Sequence, residues 1–319
     1  MGSFVMFISH QWNGFAHPDP NGRKMEVLSK VLRDLRDGCY KTETEPFHVL
    51  LYKQNTITTS SEWKELLSNA YVWYDWISQP QPSQGTSKDE ISRLKQDLSL
   101  AIQSVSSYVE RSDTLVILAP SSIHEDRVHS KTGRKIHTCY RTWRRRGLCL
   151  LEMFSCFLSR RKTHPMLLIR SEIEGPIWIS SHECLKLAVG EAEFTCCETN
   201  HRGHDGTSSM TCVRSVALNI LHMMIDSKKK DLVAKNDVVL ARFFVVLEQF
   251  WSRGLVERKS KSSVLKLKTF KKILHWNEDL EGEWIDRGNV SLLEYASGMD
   301  RVELVGEILE SIKDKRELI

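Results

Sequence analysis

One pattern constrains the fold of this chain more than any other. Short apolar runs of β-forming residues alternate with stretches whose apolar residues recur every three or four positions. Phe4–Ile8 is the first such run, and it ends in the polar Ser9, His10 and Gln11. A continuous apolar run this short suits a strand buried on both faces. In Lys24–Leu35, Met25, Leu28, Val31, Leu32 and Leu35 fall at helical spacing, and Gly38 follows as a stop. Tyr71–Asp75 is a second strand. Lys88–Val109 is a long helix with Ile91, Leu94, Leu98, Ala101, Ile102 and Val105 on one face. Thr114–Ala119, stopped by Pro120, is a third strand and Pro165–Arg170 a fourth. Between these two, Gly147–Ser159 is a helix apolar almost all round. Strands and helices in this alternation predict an α/β domain with a parallel sheet and right-handed crossovers.

Between these elements, Val49–Tyr52 reads as an inserted strand and Ser61–Asn69 as a short helix. Ser78–Gly85 is a turn-rich loop and Ser121–Thr138 a polar loop. Trp178–Gly190 is expected to finish the sheet domain, and Ser209–Ile225 and Asp237–Arg253 read as amphipathic helices. The expected division is a sheet domain over 1–175, a helical connecting region over 176–275 and a tail over 276–319. In that tail, Gly288–Gly298 followed by Arg301–Leu309 resembles one ankyrin repeat. Ser291-Leu292-Leu293-Glu294-Tyr295-Ala296 stands where that family opens with Thr-Pro-Leu-His-x-Ala. A single repeat cannot bury its own face, so it either caps the helical region or begins a longer array.

The 319 residues suffice for two or three domains and a full core. A net charge of +4 is too small an excess to argue for nucleic acid as a partner. The clusters Arg144–Arg146, Arg160–Lys162 and Lys228–Lys230 read as solvated helix ends or loops. Eight cysteines follow no disulfide framework, and Cys149 and Cys156 lie in apolar runs, as thiols do in a reducing compartment. No apolar stretch is long enough for a membrane span, so no membrane partner is expected. Met1-Gly2-Ser3 leads directly into an apolar strand, so neither a signal peptide nor a myristoylated Gly2 is expected. The expected location is cytoplasmic.

In a doubly wound sheet, ligands bind outside the carboxyl ends of the strands. Here those ends carry Ser9, His10, Gln11 and Trp12; then Asp75, Trp76 and Gln79–Gln81; then Ser121, Ser122 and His124. Such polar and aromatic side chains suit a flat heteroaromatic ring and its sugar. Packing at the core or rim accounts for Trp12 and Trp76 equally well, and His10 also fits as a strand-end residue satisfying backbone groups. Glu152 is the sharper feature. It is the one charged residue in Gly147–Leu158, with Leu148, Cys149, Ser155 and Cys156 as its helical neighbours. Burial there raises a carboxyl pKa and marks a candidate for function. A structural bond to Arg146 or to nearby backbone is the alternative. Cys196, Cys197, His201 and His204 offer zinc-type donors, but adjacent cysteines do not match the usual ligand spacing. Buried thiols and loop histidines account for them, and no metal is expected.

Phe7-Ile8-Ser9 resembles the first-strand motif of the TIR (Toll/interleukin-1 receptor/resistance) family. Leu115–Ser122 followed by Arg146–Met153 resembles that family's third strand and its Trp-Cys-Leu-x-Glu-Leu helix, with Leu148 where the family has tryptophan. Tyr71–Trp76 with Gln79-Pro80-Gln81 is also similar to the related heterokaryon-incompatibility domain. The likeness covers about residues 4–175. It implies a flavodoxin-like sheet and, in enzymatic members, NAD+ cleavage by the glutamate at the position of Glu152. It further implies a nucleotide side lined by Ser9, His10 and Gln11, ring stacking by Trp12 or Trp76, Asp75 near the mouth and Ser121 at the third strand end. NAD+ is then substrate rather than cofactor, and activation comes through homo-oligomers of the TIR-like domain in signalling or defence. His10-Gln11 replaces the family's arginine after the first strand. A non-enzymatic TIR-like interaction module, with loop 78–85 as a contact surface, is the alternative.

Overall fold

The computed structural model describes residues 3–81, 87–160, 165–198, 213–255, 265–276, 285–286, 288–299 and 301–316. Five runs of β-forming residues join one sheet: β1 (Phe4–Ser9), β2 (Ala70–Tyr74), β3 (Thr114–Leu118), β4 (Met166–Ile169) and β5 (Ile177–Ile179). Their spatial order is β2-β1-β3-β4-β5, with the first four parallel and β5 antiparallel to β4. The sheet is therefore mainly parallel, and its antiparallel edge comes from the segment expected to finish the domain. All five residues of β3 are buried, as an inner strand with both faces covered requires.

Successive residues of a strand face opposite ways, and β1 uses both sides. Met6 and Ile8 join one core with Val27, Leu28, Val31 and Leu35 of α1 (Arg23–Arg36), together with Trp63, Val116, Leu118, Leu167 and Ile169. Phe7, between Met6 and Ile8, stacks on Trp73 of β2 at 4.3 Å, and Trp73 stacks in turn on Tyr108.

Three local expectations are corrected. The helical stretch after residue 87 is two helices, α2 (Lys88–Gln103) and α3 (Val105–Arg111). Its chain turns at Ser104, whose N–H is shared among the Leu100, Ala101 and Ile102 carbonyls. The apolar pattern runs through the break and hides it. Val49–Tyr52 is helical, not a strand: Pro46–Tyr52 forms a short helix with proline in its first turn, and Glu45 accepts from the His48 N–H. Cap chemistry outweighs the apolar run, and Leu50 and Leu51 end up exposed. The polar segment 121–138 is a hairpin, Ser122–Val128 with Lys135–Thr138, turning at Gly133 with φ of 64°. Its charged residues mask the strand pattern.

The helix α4 (Gly147–Leu158) falls where the apolar run places it, with Leu150, Leu151, Met153 and Phe154 buried. Among the described cysteines, Cys149 and Cys184 are buried free thiols.

The chain divides into two compact units, residues 1–187 with 192–220, and residues 188–191 with 221–319. The first holds the sheet. The second is helical, including Val238–Trp251, Leu267–Ile273, Leu292–Gly298 and Val302–Arg316. Its core gathers Phe270, Leu274, Leu292, Tyr295, Leu304 and Ile308. Buried within it, Arg242 pairs with Asp286 at 3.2 Å and donates to the Leu274 and His275 carbonyls. Asp286 also accepts from the Tyr295 hydroxyl at 2.8 Å. Among the described residues, no helix is long and apolar enough to cross a membrane.

Candidate functional site

A helix that returns the chain between parallel strands starts near their carboxyl ends. The first turns of α4 thus bring Glu152 to the end of β1. There the buried Ser9 hydroxyl donates to Glu152 Oε2 and accepts from the Trp143 indole N–H at 3.1 Å. The Glu152 carboxyl is enclosed by protein, and the residue as a whole is half-buried. Burial drives its pKa up, the Ser9 hydrogen bond opposes this, and the negative charge of Asp75 adds to the rise. The result is about 8. Arg146, the alternative partner weighed for Glu152, instead reaches Glu193 at 3.3 Å.

Asp75 follows the last residue of β2 and opens the helical turn Asp75–Ser78. Its Oδ1 accepts from His10 Nε2 at 2.8 Å and from the Trp76 amide at 2.6 Å, and its Oδ2 accepts from the Trp12 indole at 2.9 Å. Burial alone would raise the Asp75 pKa; His10 and the donated hydrogen bonds outweigh it and hold the carboxyl below its ordinary value. The half-buried Trp12 and Trp76 rings meet edge to face at 5.4 Å, and His17 packs on Trp76 at 4.8 Å. His10 stacks on Tyr74 at 4.4 Å, and its buried Nδ1 meets no hydrogen-bond partner among the described residues.

The sequence-derived residues therefore divide. Ser9 and Glu152 touch, and Asp75 joins His10, Trp12 and Trp76. Gln11 turns its side chain into the interior, and only its backbone carbonyl serves a neighbour, accepting from Lys24. Ser121 is exposed and enters none of these bonds; the adjacent Ser122 accepts from Asn13 at 3.1 Å.

Two residues at the site were not anticipated. Trp143 lies in a basic stretch without periodicity, so nothing local marked it. Lys24 was legible, since it stands three and four positions before Val27 and Leu28 on the buried face of α1. Its ammonium donates to the Gln11 and Pro18 carbonyls, tying down the loop after β1, and burial lowers its pKa to about 8. Of the zinc-type donors, His201, His204 and the Cys196 side chain lie outside the described residues. Among the described residues, no group of three or more His, Cys, Asp or Glu could hold a metal ion.

Two cavities, of about 310 and 280 Å³, are lined by Thr44, Pro46 and Val49 and by Thr58, Glu62 and Leu66 respectively, and neither includes Glu152. No protein-family model matches the chain, and comparison with curated proteins and with solved structures finds no match. What the chain shows by itself is an α/β protein with a mainly parallel five-stranded sheet and a helical C-terminal region.

Proposed function

We propose that the sheet unit is a flavodoxin-like domain of TIR type that hydrolyses NAD+ to nicotinamide and ADP-ribose, or to a cyclised variant. The strand order, read as 2-1-3-4-5, supports the fold, since it puts the switch point between β1 and β3. The observation that carries the activity is Glu152, a carboxyl of raised pKa on a half-buried residue, hydrogen-bonded to Ser9 at the end of β1.

The bond between the ribose C1′ and the pyridinium nitrogen breaks, and its electron pair stays on nicotinamide. The ribose is left as an oxocarbenium-like cation. Water attacks C1′ and releases a proton; in the cyclised product an atom of the same substrate takes that place. An ionised Glu152 stabilises the developing cation. In the free site the acid is held largely protonated at neutral pH, and a bound pyridinium cation favours its ionised form. Trp12 and Trp76, which meet at Asp75, offer ring faces to the substrate.

Self-association activates the domain, and the chain serves cytoplasmic signalling or defence. The helix pair Leu292–Gly298 and Val302–Arg316 stands as an ankyrin-like element in the second unit. A second reading, a TIR-like interaction module without catalysis, is favoured by the direct Ser9 bond to Glu152 and by the enclosure of its carboxyl. Incubating concentrated protein with NAD+ and separating the products tests the choice. Nicotinamide release that is lost in Glu152→Ala and Glu152→Gln supports the enzyme. Equal release by wild type and both variants contradicts it.

A further inference from the structure

The small net charge of the chain conceals a local excess. From Arg127 to Arg146 there are eight lysines and arginines and no aspartate or glutamate, so the rest of the chain is net negative. This run covers the outer part of the hairpin Ser122–Val128 with Lys135–Thr138, the short helix Tyr140–Trp143 and the three arginines that lead into α4. The hairpin is a two-stranded ribbon apart from the central sheet. Its base is fixed. The Glu125 amide donates to the Asn13 carbonyl at 2.7 Å, and the Thr138 hydroxyl donates to the Asn13 side chain at 3.1 Å. Buried His124 accepts through Nδ1 from the Asp126 and Arg127 amides, each at 3.2 Å. Beyond that base, Arg127 is half-buried and every residue from Val128 to Lys135 is exposed.

The eight cations fall into two groups. Four are engaged by protein carboxylates: Arg127, Arg145 and Arg146 meet Glu193 at 3.0, 3.6 and 3.3 Å, and Arg144 meets Glu183 at 3.0 Å. The other four, Lys131, Arg134, Lys135 and Arg141, are exposed and form no ion pair with a described residue. With Glu183, Glu193 and the neighbouring Glu125 and Asp126 all counted, an excess of four positive charges remains. Like charges gathered on one small ribbon repel, and a bound polyanion relieves that repulsion. We infer that the ribbon and the short helix after it bind the phosphate backbone of a nucleic-acid duplex through Lys131, Arg134, Lys135 and Arg141. A duplex groove admits a two-stranded ribbon, and guanidinium forks match phosphate geometry. Ser130 and Thr132 add hydroxyl donors between the cations. A single strand calls for exposed aromatic rings to stack on, and Val128–Lys135 has none. A lipid surface calls for an apolar face, and Val128 is the one large apolar residue in that span. The inference does not depend on whether Glu152 cleaves NAD+.

The test is binding of the full chain to a labelled DNA duplex of mixed sequence, read by fluorescence anisotropy over a range of salt. An RNA duplex, a DNA single strand and phosphatidylserine vesicles are measured beside it. Four phosphate contacts predict a slope of log K against log salt of about −3.6, a weakening of about a hundredfold from about 50 to about 200 mM salt. Binding of either duplex with this slope supports the inference, and the tighter of the two names the source. The combined variant Lys131→Gln, Arg134→Gln, Lys135→Gln and Arg141→Gln should flatten the slope and weaken binding roughly tenfold or more at the lower salt. Lys41→Gln, Lys53→Gln, Lys64→Gln and Lys88→Gln together remove the same charge from exposed positions elsewhere on the sheet unit, and should leave binding within about twofold. No duplex binding, equal losses in the two variants, or tighter binding to the single strand or the vesicles overturns the inference. A measurement on the wild type needs no variant: the duplex should shift the amide resonances of residues 129–135 and Arg141. A duplex that shifts only amides elsewhere contradicts the assignment even if the combined variant does not fold.

Discussion

Ser9 stands between an indole and a carboxyl group, accepting from Trp143 and donating to Glu152. Alanine at this position removes both bonds and leaves the Trp143 N–H buried without its acceptor, since Trp143 is fully enclosed. Ser9→Ala should cost about 1–3 kcal/mol, read from the shift in urea midpoint. An unchanged midpoint would mean that the hydroxyl does not hold the indole. Glu152 could be picked out from sequence because a lone acid in an apolar helix has no local way to be satisfied. Its partner could not, because Ser9 and Glu152 are far apart in the chain and meet only when the sheet forms. Trp143 was illegible for the same reason. For Lys24 the evidence lay in the sequence, as a charged residue in register with Val27, Leu28 and Val31.

At the scale of elements, the four parallel strands and the helices Arg23–Arg36 and Gly147–Leu158 were readable from apolar periodicity, because buried strands and buried helix faces leave the strongest patterns. The elements that escaped, Pro46–Tyr52 and the hairpin after residue 121, are governed by caps, turns and exposed side chains, which leave weaker ones. The start of α4 shows how closely one element is fitted. A Cβ on Gly147 would run into the Phe194 ring, so the helix carrying Glu152 begins there with a residue that has no side chain. Gly147→Ala should destabilise by about 1–3 kcal/mol. Pairing it with Phe194→Leu, which clears space, should recover part of that loss. Equal melting temperatures for the wild type and Gly147→Ala would refute the fit.

For the whole molecule, two units imply that stability and chemistry can be separated by mutation. The Arg242–Asp286 pair is buried in the helical unit, and Asp286→Ala takes the carboxylate away from an enclosed guanidinium. That should cost the helical unit about 3–5 kcal/mol. Nicotinamide release by the sheet unit, per folded molecule at the same state of assembly, should be unchanged. A parallel loss of release would place part of the activity in the helical unit.

The central claim is that Glu152, holding its proton up to about pH 8 in the free protein, works in its ionised form. The pH dependence of kcat/KM for nicotinamide release reports ionisations of the free enzyme, so it tests this most directly. The account predicts a limb rising roughly tenfold per pH unit at low pH and levelling near pH 8, with release abolished in Glu152→Gln. A profile that is flat through that range, or a Glu152→Gln variant with wild-type turnover, would contradict it.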